Sequence, residues 1–550
     1  MPSPPLPLRR MQPNPCFVVR GDASGPSHAR QWFERAGRGD GTPESWLYTD
    51  RLSYAPGETV RVHAISTAAR VTLEVLRDGA QAVTALRLGG VETRWADTPE
   101  DASASGCGWP AVAAFVVGAD WPSGAYRLIL RAEGADAATV GAEHLFIVRP
   151  QPGPRPERLL LVVSDATWVA YNDWGGSNAY EGVIEPDTAR FSPRLSIHRP
   201  FARGLLSLPP DAPRALPERP PPQGAPTAYP HMDWAWANGF SKKYASAGWA
   251  SYERPFALWA EREGYALDVA TQRDLHFRPE ILDGAACVAF VGHDEYWTWE
   301  MRDAVDAYVA RGGRVARFAG NFFWQIRLED DGATQICHKY RAEAEDPVCG
   351  TADARRTTTL WDSPVVDRPG HETFGLDGSR GVYAGWGGTA PRGAGGFTLY
   401  RPEHWAFEGC GLGYGDVLGA ESRIFGYEVD GLDHRIVDGL PFPEPQPVLP
   451  EDLEILALGL ARAREDVFAP TGAPLFVGDD DARLLARLRF GADDPEAVAR
   501  ANRGSGMIVS FTRDAGAVFH AGATEWVAGL LRRDPGVMRV TKNVLTRFIV

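Results

Sequence analysis

The segment from Ala285 to Ala319 constrains this chain more than any other, because three consecutive elements with different periods follow one another there. Ala285-Ala-Cys-Val-Ala-Phe-Val291 is an unbroken apolar run, the mark of a strand covered on both faces. Met301, Ala304, Val305, Tyr308 and Val309 recur at helical spacing, and Gly312-Gly313 supplies a stop. Val315 to Ala319 reads as the next strand. Strand, helix and strand in this order specify a βαβ unit, whose strands lie parallel in one sheet.

The same alternation recurs on either side. Leu159-Leu-Leu-Val-Val163 is a second covered strand, and a helix over Glu253 to Glu263 leads into the strand Leu267 to Thr271. Met507 to Phe511 and Val518 to Gly522 read as further core strands, with a closing helix over Lys542 to Val550. These predict a mostly parallel α/β domain over 157–550, interrupted by the Pro-rich stretch Pro209 to Pro230 and a Gly-rich insertion at about 330–440. Ahead of it the period is two. Val60 to Ile65, Val71 to Val75, Val112 to Val117, Tyr126 to Arg131 and Leu145 to Val148 alternate between turn signals, which predicts an antiparallel β-sandwich over 46–150. A Pro-rich linker at 151–156 separates the two. Residues 1–45 are rich in Pro and Gly, with a short helix expected at Gln31 to Ala36.

Charge and composition narrow the function. Lys plus Arg number 57 against 71 Asp plus Glu, a net charge of −14, which argues against nucleic acid or an anionic membrane as the main partner. No apolar run approaches the roughly 18 residues of a membrane span, no secretory leader is evident, and six cysteines without regular spacing make no disulfide framework. A cytoplasmic location is expected.

In open α/β sheets, ligands gather outside the carboxyl ends of the strands. Three such ends carry unusual polar residues: Trp168 to Gly182, Gly292-His-Asp-Glu-Tyr-Trp297, and Gly320-Asn-Phe-Phe-Trp324. The strand–turn–helix at 285–311 is where class I glutamine-amidotransferase-like (Rossmann-like, three-layer) domains place a nucleophilic thiol. Here the turn offers His293, Asp294 and Glu295 with neither Ser nor Cys, and Cys287 lies inside the apolar strand. The expected nucleophile is therefore water, activated by a base or a metal. Each residue taken singly also has an ordinary role. Asp294 and Glu295 suit a helix N-terminus, Tyr171 and Tyr180 suit packing around a Gly-rich loop, Asn321 suits a turn, and His293 suits a half-buried imidazole. Gly409 to Gly415 lacks dinucleotide spacing, Cys337-His338 with Cys349 lacks a fourth ligand, and Asp479-Asp480-Asp481 reads as a solvated acidic turn.

Together, the ordered segments resemble the large (β) subunit of N,N-dimethylformamidase and its relatives. Thr167-Trp-Val-Ala-Tyr-Asn172 is similar to the family's Thr-Tyr-Met-Ala-Tyr-Ala-Asn segment. Ser192-Pro-Arg-Leu, Leu258-Trp-Ala-Glu with Asp268-Val-Ala-Thr, and His293-Asp-Glu-Tyr-Trp-Thr298 followed by Gly320-Asn321 match further segments in order. The resemblance implies an amidotransferase-like domain behind a sandwich and a mononuclear ferric ion, Fe(3+), held by Glu295, Tyr171 and a second tyrosine. Tyr180 is the choice for that tyrosine, with Tyr244 and Tyr252 as alternatives. His293, Asn321 and, by a looser match, Glu428 are implied as functional groups beside the ion. It further implies hydrolysis of a small N-substituted amide and, in the family, a separate small subunit beside a longer large chain; for this shorter chain the expectation is a homo-oligomer, with working alone or with a small accessory subunit left open. Trp174, Trp297, Phe323 and Trp324 are candidates for an apolar wall around an N-alkyl group. Two alternatives stay open: a binding protein for a carbohydrate or peptide, favoured by the aromatics between Trp234 and Trp259, and a related hydrolase using another metal.

Overall fold

The computed structural model describes residues 17–20, 30–37, 43–135, 141–183, 191–216, 218, 229–383, 395–462 and 479–550. Most of the N-terminal segment and half of Pro209 to Pro230 fall outside them, as do the side chains of Asp479 to Asp481.

Period-two alternation produces two sheets near the N-terminus. Thr59–Ser66 pairs antiparallel with Ser45–Thr49 on one side and Ala111–Val116 on the other. The second sheet runs Ser53–Tyr54, Ala142–Val148, Gly124–Ala132, Arg70–Arg77 and Val83–Glu92, antiparallel apart from the first pair. Leu47, Val60 and Val62 from the first sheet and Leu73, Leu128 and Phe146 from the second fill one core, because alternate residues of a strand face one side. Asp78 ties these sheets to the later α/β region: it accepts from Trp249 at 2.8 Å and pairs with Arg254 at 2.7 Å.

The short helix expected at Gln31 to Ala36 is instead a strand, Gln31–Glu34, paired antiparallel with Phe17–Arg20. Tertiary contacts decide the matter. Gln31 donates to Asp173 at 2.7 Å, Trp32 stacks on Trp236 at 4.6 Å between ring centroids, and buried Glu34 holds Arg203. Residues on both sides of the backbone are thereby engaged, which an extended chain allows and a four-residue helix does not.

The principal sheet has nine strands. Ala266–Thr271, Arg155–Val163, Ala285–His293, Arg314–Gly320 and Gly516–Ala521 lie parallel in that spatial order. Beyond them Arg503–Arg513, Glu454–Arg462, Phe397–Leu399 and Val417–Leu418 continue antiparallel. The sheet is therefore half parallel, which corrects the mostly parallel expectation. The reason is local. Only Asp514 and Ala515 connect Arg513 to Gly516, a hairpin length, and Asp514 takes the positive φ of 51° that such a turn needs. Both faces of the parallel half are covered. Leu160, Val162, Val288 and Phe290 pack with Met301, Val305 and Val309 of the helix Trp299–Ala310. Leu159, Leu161, Ala289 and Val291 pack on the other face with Phe256 of the helix Glu253–Arg262 and with Val540 and Val544 of the helix Pro535–Ile549. Of the described residues, no helix is long and apolar enough to cross a membrane.

Candidate metal centre

The strand Ala285–His293 delivers the first donors. Gly292 has φ of 82°, and a Cβ there would lie 2.3 Å from Cβ of Tyr252, so only glycine lets the strand turn at this point. The backbone then bends under control. Asp294 N donates to Gly320 O at 3.2 Å, Glu295 N to Thr167 Oγ1 at 3.0 Å, and Trp324 N to Glu295 O at 3.0 Å. These bonds tie His293 and Glu295 to the loop after Arg314–Gly320, where Asn321 adopts φ of 65°. Tyr171 ends the helix Asp165–Tyr171. The chain loops back at once, Ala179 N donating to Ala170 O at 2.8 Å, so that Tyr180 lies beside it with ring centroids 4.7 Å apart. Glu428 opens the strand Glu428–Gly431, within the region expected as an insertion.

These elements converge. His293 Nε2 lies 2.6 Å from Glu428 Oε2 and 3.3 Å from Glu295 Oε2. Tyr180 OH donates to both oxygens of Glu295 at 2.6 Å, Trp324 Nε1 donates to Oε1 at 2.7 Å, and Tyr296 OH reaches Tyr180 OH at 2.7 Å. Asn321 Nδ2 donates to Glu428 Oε2 at 2.8 Å. Tyr171 stands edge-on to His293, ring centroids 5.1 Å apart, and shares a hydrogen bond with Tyr427. His293 Nδ1 faces the carbonyl of Ser246 at 2.6 Å. A carbonyl only accepts, so Nδ1 carries hydrogen and Nε2 is the face that exchanges a proton. Every member except partly buried Tyr180 is buried, with Asn321 the most open of these at 6% exposure.

Charge balance in this pocket is unusual. Burial opposes charging of His293, but Glu428 and Glu295 outweigh it and bring the imidazole up to about 10. Burial also opposes the charge on Glu295, yet His293, Lys339 and the Tyr180 hydroxyl hold it below the ordinary carboxylate range. Glu428 is raised, by burial first and then by Glu295 nearby. Tyr171 and Tyr180 are pushed well above the ordinary phenol value by burial and by the Glu295 charge. Without a cation, then, the phenols keep their protons.

The donor set fits a hard cation. His293, Glu295 and Glu428 place ligand atoms within 4.8 Å of one another, alone in this respect among the described residues, and two phenols adjoin them. Oxygen and imidazole donors without a thiol suit a hard, highly charged ion rather than zinc–thiolate or iron–sulfur chemistry.

The structure brings Tyr171, Tyr180, His293, Glu295, Asn321 and Glu428 into one cluster, while the alternatives aim their hydroxyls elsewhere, although the Tyr252 ring lies 6.5 Å from that of His293. Tyr244 OH donates to Pro213 O at 2.6 Å, and Tyr252 OH turns to Ala245 O at 3.1 Å and Glu525 at 3.3 Å. Of the expected apolar wall, Trp324 borders the site through Glu295 and Phe323 packs against it at 4.8 Å. Trp174 packs instead on Trp46 and Trp109, and Trp297 packs on Phe290, Phe322 and Phe374 in the core. Sequence reasoning missed Tyr427, Tyr296, Ser246 and Lys339, whose ammonium sits 3.2 Å from the Tyr180 ring centroid. Adjacency was the available signal for two of them: Tyr296 follows Glu295, and Tyr427 precedes Glu428. Cys337 and His338 hydrogen-bond to loop atoms of Gln325 and Thr358 and, among the described residues, join no metal cluster.

Comparison with known proteins places the chain in a family. The family model described as N,N-dimethylformamidase beta subunit-like, C-terminal, matches residues 72–538. The N,N-dimethylformamidase beta subunits of an Alcaligenes species and of Paracoccus aminophilus are each 26% identical to this chain over 317 residues, 53% of the chain. The match spans 36% of the length of each relative. With a family match over most of its length, the chain belongs to the N,N-dimethylformamidase beta subunit-like family.

Proposed function

We propose that this protein is a metal-dependent hydrolase that cleaves the C–N bond of a small N-substituted amide. The ion is Fe(3+), and Tyr171, Tyr180 and Glu295 are its ligands. The observation that carries the proposal is the largely buried chain of contacts that runs from Tyr180 through Glu295 and His293 to Glu428. Two phenolates and one carboxylate offset a trivalent charge. A bound ferric ion supplies Lewis acidity toward an amide carbonyl and toward water. The chain's own groups do the rest. His293 Nε2 takes a proton from the attacking water and delivers it to the departing amine nitrogen, while its Nδ1–H stays on Ser246 O. Glu428 Oε2, 2.6 Å from the same Nε2, shares the proton in transit and keeps the imidazole aimed. The Asn321 amide, fixed by Glu428, donates to the oxygen on which negative charge develops. The sum is amide plus water giving carboxylic acid plus amine.

The proposal includes a sandwich over 46–150 followed by an amidotransferase-like domain over 157–550, with the His293–Glu295 turn at the position where such domains carry a thiol; the turn's place after the strand Ala285–His293 supports it. The relatives are named as beta subunits, and this chain is proposed to assemble with copies of itself, with or without a small accessory subunit. Metal analysis of protein purified without chelator, combined with amine release from a panel of N-alkyl amides, tests the function. Near-stoichiometric iron and amine release support it. Iron-free protein that cleaves amides at full rate, or full iron content surviving Glu295→Ala, overturns it.

A further inference from the structure

Arg317 sits at the middle of the strand Arg314–Gly320, fully buried in a stretch otherwise apolar. A guanidinium taken out of water costs several kcal/mol unless every donor is matched. Nη1 meets His520 Nε2 at 2.5 Å and Ala319 O at 3.3 Å, and the remaining partners belong to three of the segments that build the metal centre. Nε and Nη2 meet the Asp294 carboxylate at 3.3 Å, and Nη2 also donates to Asp294 O at 3.2 Å. Asp294 lies between His293 and Glu295. Nη1 donates to Asp430 at 2.8 Å, two residues beyond Glu428. The other oxygen of Asp430 accepts from Phe322 N at 3.0 Å, the residue after Asn321. Phe322 and Phe374 cover the guanidinium with ring centroids 5.4 and 4.9 Å away.

The two carboxylates are themselves braced. Asp294 accepts from Gln272 Nε2 at 2.8 Å, Trp297 Nε1 at 2.9 Å and Ser164 Oγ at 3.2 Å. Asp430 N donates to Gly522 O at 3.0 Å, and His520 Nε2 approaches the Asp430 carboxylate at 3.3 Å. A planar fork with fixed donors bridges two such groups at a set separation, which a lysine cannot do.

We infer that Arg317 is a positioning residue that sets the distance between the His293–Glu295 turn and Glu428. It touches neither ion nor substrate. The inference rests on the metal reading for its affinity readout, while a separate geometric readout stands without it.

The test compares the full chain with Arg317→Lys and, because a buried lysine can block folding, with Asp430→Asn, which keeps the guanidinium on Asp294. Iron affinity is measured by competition with citrate, and crystal structures of both variants and the parent are determined after chelator treatment. The expected result is a 10- to 100-fold weaker affinity for iron, the usual size of an outer-shell effect. The separation between His293 Nε2 and Glu428 Oε2 should widen by about 0.5 Å or more, the tolerance within which a built site must be held. Unchanged affinity with an unchanged separation overturns the inference. A parent protein that binds no iron refutes the metal reading, and the crystal separation alone then decides the role of Arg317.

Discussion

Metal uptake by this pocket should depend steeply on pH. Three protons sit in the metal-free cage at neutral pH: one on each of Tyr171 and Tyr180, and a second ring proton on His293, whose imidazole is brought up to about 10. Ligation requires phenolates, and a trivalent charge nearby repels the imidazolium, so all three are expelled on binding. Each displaced proton contributes about tenfold in apparent affinity per pH unit, equal to about 1.4 kcal/mol. The sign follows from direction: groups protonated without the ion and deprotonated with it bind more tightly as pH rises. The logarithm of affinity should therefore climb by about 3 per unit between roughly pH 7 and 9, and by about 2 once His293 has lost its proton. Competition with citrate, corrected for the proton chemistry of ferric citrate, gives the slope. Calorimetry in two buffers of different ionisation enthalpy gives the proton count independently. A slope of one or less, with heats that do not depend on buffer, would refute the argument, because the phenols then either stay protonated or are not ligands.

Removing single groups should separate the tyrosines. Tyr180→Phe should abolish the visible absorption expected of a phenolate–iron centre or shift it strongly, whereas Tyr244→Phe should leave the spectrum unchanged and cost only about 1 kcal/mol in urea unfolding, the worth of its bond to Pro213 O. Gly292→Ala should destabilise the fold by about 2–4 kcal/mol, since positive φ and a 2.3 Å contact with Tyr252 act together. Wild-type stability in that variant would show that the turn relaxes freely.

Residues close to strongly periodic elements were the legible ones. His293, Glu295 and Asn321 lie at or just beyond the ends of strands whose apolar runs are unambiguous, so the rule about strand ends located them. Tyr180 is indicated by its interval before Ser192-Pro-Arg-Leu, whereas its short separation from Tyr171 argues against the pairing that the fold brings about. Glu428 lies in a stretch without period, where only motif order pointed to it, and its bond to His293 spans a chain separation that no local pattern encodes. The antiparallel half of the sheet was hard to read for a different reason. Glu454–Arg462 is an apolar run that suits a strand or a buried helix equally, and only the two-residue turn at Asp514 fixes direction. At Gln31 to Glu34, partners more than 130 positions away override the local preference.

The order of strands across the principal sheet also governs when the protein can become whole. Gly516–Ala521 lies at the centre, beside a strand that left the ribosome some two hundred residues earlier. Although every proposed iron ligand has emerged by residue 295, the sheet beneath them stays split until that late strand slots in. The proposed loading with iron is therefore expected late in the life of a nascent chain, and early termination anywhere upstream of residue 516 should yield a polypeptide unable to retain the ion.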